Sequence, residues 1–113
     1  MNYQRIVSAL YQSWSQESSS RYDRCNPSKG QCSVTAIVVK REFGGTVLRT
    51  CIGGHWHYYN RINGKIFDFT SSQFDEKIEY DNLESSIEDA LTDCDEQQVA
   101  ALTIRFKNFY NEI

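Results

Sequence analysis

The dipeptide Asn63-Gly64 lies between two short runs rich in aromatic and β-branched residues, 56–62 and 65–69. Asn followed by Gly suits a two-residue type I′ turn, because both central positions need a positive φ. The turn predicts an antiparallel hairpin and fixes its register. Ile62 pairs with Lys65, and further out Tyr59 faces Asp68 and His57 faces Thr70. His57 and Asp68 then sit on one sheet face as diagonal neighbours, roughly 7–8 Å apart at Cα and within side-chain reach.

Residues 46–51 are also β-branched and bounded by Gly, giving a third strand. Before it, residues 31–43 carry Val34, Ala36, Ile37, Val38 and Val39 and stop at Gly44-Gly45. That run is too long for a strand and apolar all round, which predicts a buried helix. Residues 2–14 place Tyr3, Ile6, Val7, Leu10, Tyr11 and Trp14 at helical spacings, and 21–30, with the only Pro, read as a loop. Beyond Thr70 the chain turns acidic and polar through Asp81. Ser85 or Ser86 then caps a short helical piece, and Asp93 or Asp95 opens a last helix with Val99, Leu102, Phe106 and Phe109 on its apolar side. The expected fold is α+β, with N-terminal helices packed on a central antiparallel sheet of three or more strands and a C-terminal helix. At 113 residues the chain suits a single domain over 1–113.

A net charge of −3 with no basic stripe argues against a nucleic-acid partner. No apolar run reaches 18 residues, so no membrane partner is expected. Four cysteines without a targeting sequence point to reduced thiols and a cytoplasmic location.

Cys32 stands at the head of the apolar helix, after a loop containing Pro27 and Gly30. Helix-start amides and the positive dipole end favour a thiolate and can donate to an oxyanion. A Cys there also fits plain packing beside Val34 and Ala36. The hairpin supplies the complementary groups. Asp68, bonded to one ring nitrogen of His57, would leave the other free to take a proton from a thiol. Alternatively, the two form a solvated cross-strand pair. The more apolar hairpin face, with Trp56, Tyr58, Ile62, Phe67 and Phe69, is expected against the main core. His57, Tyr59, Ile66 and Asp68 then line a partly covered cleft with Cys32 at its edge. Gln31 is a candidate amide donor to an oxyanion or an ordinary first-turn residue. Trp14, Ser15 and Ser18 are candidates for a pocket wall, and Trp14 equally for core. Cys51, His55 and His57 form C-x3-H-x-H, which invites a metal site, but paired C-x-x-C spacing is absent. Cys25 is a possible resolving thiol, and Cys94 carries no motif.

The run 26–36, N-P-S-K-G-Q-C-S-V-T-A, with G-H-W-H-Y-Y-N at 54–60 and D-F-T-S-S-Q-F at 68–74, resembles the YunG-like family of small bacterial proteins. The likeness extends to Trp14-Ser15 and to residues 93–98. A looser similarity is to papain-like, NlpC/P60-type and transglutaminase-like proteins, which share a Cys on a helix start, a His on a strand and a polar residue on the next strand. That resemblance implies a small papain-like domain, with Cys32 as nucleophile, His57 as base and acid, and Asp68 as the orienting group. Ser33 stands where those enzymes often carry an aromatic residue. The expected activity is a cysteine-dependent hydrolase or acyltransferase acting on an amide or ester, with a small-molecule or peptide substrate and no cofactor or metal. The alternatives are a non-catalytic binding module on the same scaffold and a Cys/His metal-binding domain.

Overall fold

The structure, a computed structural model, describes residues 2–112. Asn63 and Gly64 take φ of 52° and 77°, as a type I′ turn requires. They join β2 (His55–Ile62) to β3 (Lys65–Phe67) in the register expected, with Ile62 opposite Lys65 and Asn60 opposite Phe67. β1 (Thr46–Ile52) pairs antiparallel with β2 along its whole length. A two-residue strand, β4 (Leu83–Glu84), completes a four-stranded antiparallel sheet ordered β3-β2-β1-β4.

The third strand is shorter than the sequence suggested. Asp68 accepts a hydrogen bond from the Thr70 amide at 3.2 Å, a local side-chain turn that competes with the ladder. The chain leaves β3 after Phe67 and enters a 3₁₀ turn over Ser71–Gln73. The expected pairs Tyr59–Asp68 and His57–Thr70 therefore do not form. The outer edge of β2 from His55 to Tyr59 has no strand partner.

Four helices accompany the sheet. In α1 (Tyr3–Ser13) the Asn2 side chain caps by accepting from the Arg5 amide. α2 (Cys32–Phe43) is buried continuously from Cys32 to Val39. Ser86 caps the one-turn α3 (Ile87–Ala90). α4 (Glu96–Glu112) opens on a reciprocal cap in which Gln98 N donates to Asp95 Oδ1 at 2.8 Å and Asp95 N to Gln98 Oε1 at 3.0 Å.

α2 lies on the sheet, where Asn60 Nδ2 donates to the Ala36 carbonyl at 3.0 Å. α1 packs mainly against α4 instead, and Arg5 bonds the Tyr110 carbonyl at 2.7 Å. Side chains alternate along β2, so Tyr58 and Ile62 enter the main core with Ile6, Leu10, Ile37, Val47, Leu102 and Phe106. Leu48 and Tyr59 are equally buried but sit outside that cluster, on the opposite face.

That second face was expected to be only partly covered, yet His57 and Tyr59 are 2% and 1% exposed. Residues 74–82 cross it as a strap. Thr50 Oγ1 donates to Glu79 O at 3.2 Å and accepts from the Asp81 amide at 3.1 Å. Tyr59 Oη donates to Asn82 Oδ1 at 2.9 Å and accepts from the Asn82 amide at 2.8 Å. Among the described residues, no helix is long and apolar enough to cross a membrane.

Candidate functional site

Cys32 is the first residue of α2 and Gln31 precedes it with no side-chain cap, so first-turn amides remain available as donors. Cys32 is 8% exposed, and all four cysteines are free. His57 and Asp68 meet directly, with His57 Nε2 2.6 Å from Asp68 Oδ2 and both side chains nearly buried. A pair held out of solvent in this way is not the screened surface contact that the sequence also allowed.

Nδ1 of His57 is buried and makes no hydrogen bond. Burial disfavours the charged imidazole, but the hydrogen bond to Asp68, with the nearby Asp68 and Cys32 groups, outweighs it and pushes its pKa up to about 9. Cys32 and His57 both line a cavity of about 420 Å³, with Arg21, Trp56, Gln73 and Phe74 among its walls.

Asp68 is saturated with donors. Oδ2 also accepts from Tyr80 Oη at 2.8 Å, and Oδ1 accepts from Thr70 N at 3.2 Å and Thr70 Oγ1 at 3.4 Å. The Tyr80 phenol is pushed well above its ordinary pKa by burial and by Asp68. Phe74 sets its ring edge-on to His57 at 5.0 Å, and Tyr59 stacks on the other side at 6.0 Å.

Three expected pocket residues serve elsewhere. Gln31 is fully buried, its Oε1 accepting from Ser18 at 2.8 Å and its Nε2 donating to Ser15 O at 3.4 Å. Trp14 is 2% exposed and donates through Nε1 to Thr35 Oγ1 at 2.9 Å. Tyr59 lies beneath the strap. None of the three lines the cavity. Ile66 is 41% exposed and also lies outside it. Cys25 is exposed and apart from it.

The C-x3-H-x-H set does not converge. Cys51 pairs with Trp56, which places it on the face opposite His55 and His57. Among the described residues no three Cys, His, Asp or Glu side chains are placed to hold a metal ion.

Residues 70–82 contribute Tyr80, Phe74 and Gln73, which the sequence reading did not assign to the site. No periodicity marks this segment, and its acidic composition reads as solvent-facing loop. The one available signal was its two aromatics, Phe74 and Tyr80, in an otherwise polar stretch.

The model of the family described as YunG protein matches residues 2–111. A Bacillus subtilis (strain 168) relative, "Uncharacterized protein YunG", is 47% identical over 104 residues, which cover 92% of this chain and 90% of the relative. No solved structure matches. With a family match over nearly its whole length and a relative aligned over about nine-tenths of both chains, the chain belongs to the YunG family.

Proposed function

We propose that Cys32, His57 and Asp68 act together as the catalytic group of a cysteine-dependent hydrolase or acyltransferase on an amide or ester. One observation carries this reading. A buried carboxylate bonds Nε2 of an imidazole at 2.6 Å, and that ring, its Nδ1 unpartnered, lines the same cavity as Cys32.

In this mechanism the raised His57 pKa favours the Cys32 proton resting on Nδ1, and the thiolate sulfur adds to the substrate carbonyl, forming the carbon–sulfur bond of a tetrahedral intermediate as the carbonyl electron pair moves to oxygen. The uncapped first-turn amides of α2 suit the developing oxyanion. The imidazolium then protonates the leaving amine or alcohol as its bond to carbon breaks, giving a thioester. Water or a second acceptor, deprotonated by His57, releases the acyl group and restores the thiol. Asp68 holds the tautomer with Nε2 protonated and stabilises the imidazolium.

The order of Cys at a helix start, His on a strand and acid just after the next strand also supports reading the scaffold as a small papain-like domain. Four free thiols agree with a reducing cytoplasm as its place.

Iodoacetamide labelling followed by intact mass tests the reading. Cys32 is expected to react at least about tenfold faster than an exposed model thiol at neutral pH, with Cys32→Ala abolishing the fast phase and His57→Ala slowing it. If Cys32 in the folded protein reacts no faster than the model thiol, the reading fails and a non-catalytic binding module remains.

A further inference from the structure

We propose that the cavity over Cys32 and His57 takes a peptide-like amide or ester with an aromatic or bulky apolar group beside its scissile carbonyl, that group packing on Trp56. The inference rests on the cysteine chemistry above and names its substrate class.

Trp56 directly precedes His57 on β2, so the two side chains leave opposite faces of the sheet. Both nevertheless line one cavity, at the stretch of β2 that β3 leaves unpaired. A ligand lying against the imidazole therefore lies within reach of the indole.

Trp56 is 43% exposed, although it belongs to the hairpin face that otherwise packs into the core. Its ring is nonetheless held. The Arg49 guanidinium carbon sits 4.0 Å from the ring centroid, and Arg49 is tethered in turn to Asp89 at 3.6 Å. A large aromatic surface fixed at a cavity wall loses little freedom on binding and gains what stacking and burial provide. Ile52 and Phe74 add apolar surface to the same cavity. The remaining wall is polar, formed by Thr92, Asp93 and Arg21, the last two an open pair at 3.6 Å. One apolar wall and one hydrogen-bonding wall around a thiol suit a side chain and a peptide backbone together. About 420 Å³ is room for a group of that size.

Two chloromethyl ketones, of N-acetylphenylalanine and N-acetylalanine, test this in the full chain. In each, the Cys32 thiolate sulfur forms a bond to the methylene carbon, the carbon–chlorine bond breaks, chloride leaves and the proton given up by the thiol stays on His57. Rates are read by intact mass, with iodoacetamide as a reference lacking either side chain. The phenylalanine reagent is expected to label at least about fivefold faster than the alanine reagent. Trp56→Ala should bring that ratio near one, while Trp56→Phe keeps most of it. Arg49→Gln, which frees the indole without removing it, should lower the ratio too and serves as the second variant if Trp56→Ala does not fold by circular dichroism.

A ratio near one in the parent protein, alongside fast iodoacetamide labelling, overturns the substrate class and leaves the reactive cysteine standing. A preference that survives both Trp56→Ala and Arg49→Gln overturns the assignment to Trp56. Slow iodoacetamide labelling of the parent brings down the cysteine chemistry and this inference with it.

Discussion

Asp68 joins the site to the protein's pH response. Its Oδ2 accepts from both His57 Nε2 and Tyr80 Oη, so the phenol and the imidazole compete for one oxygen. Removing the phenolic proton donor leaves more negative charge for the ring. Tyr80→Phe should therefore raise the His57 pKa further above about 9, a shift readable by NMR titration of the imidazole carbons. An unchanged midpoint would mean that Tyr80 only packs. The same pair affects stability. The His57 pKa is raised from 6.5 to about 9 on folding, so its contribution is full below the unfolded value and is lost as pH rises through the folded one. Thermal unfolding should show a stability loss on the order of 1–3 kcal/mol between pH 6 and pH 10 that Asp68→Asn largely removes. If the variant keeps the whole pH dependence, other groups are responsible.

At the scale of elements, the hairpin was legible because its instruction is local: two residues with positive φ set the register of the pairs nearest them, out to Asn60 and Phe67. The helices were legible for a similar reason, through periodicity and caps such as Ser86 and Asp95. The early end of β3 was not, since it follows from Asp68 turning back onto its own backbone. The strap over 74–82 was hidden too, because it is ordered by Thr50, Tyr59 and Asp68, which are distant in sequence. The choice between pocket and core for Gln31 and Trp14 was hidden for the same reason, their partners Ser18 and Thr35 becoming neighbours only in the packed core. Two glycines show how local and tertiary demands separate. At Gly64, φ is +77° and an added Cβ meets open space, so Gly64→Ala should cost only the left-handed penalty of about 1 kcal/mol. At Gly45, φ is +80° and the added Cβ would collide with the Arg61 carbonyl oxygen, a ladder backbone atom that cannot easily move. Gly45→Ala should cost more than Gly64→Ala by roughly 1–3 kcal/mol in urea unfolding. Equal costs would show that the start of β1 yields freely.

Across the whole molecule, the site depends on two segments that the chain keeps far apart: the loop leading to Cys32 and the turn following Asp68. Gln73 joins them. Its Oε1 accepts from the Gly30 amide at 3.2 Å, its Nε2 donates to the Thr70 carbonyl at 3.1 Å, and its own carbonyl accepts from Asn26 Nδ2 at 3.2 Å. Ser28 and Ser72 add a hydroxyl contact at 2.9 Å between the same segments. Under the proposed chemistry this seam sets the distance between sulfur and imidazole, because α2 starts two residues after Gly30 and the carboxylate precedes Thr70 by two. Gln73→Ala removes both side-chain bonds of the seam and leaves the Asn26 contact, which uses the backbone. The global loss should be small, about 1–2 kcal/mol, since the main core lies elsewhere. The local effect should be larger: the Gly30 amide should exchange faster with deuterium, and Cys32 should lose several-fold in its iodoacetamide rate while the protein stays folded. Faster exchange at Gly30 with an undiminished labelling rate would show that the thiol is held in place from α2 alone, and that the seam is structural without bearing on the chemistry.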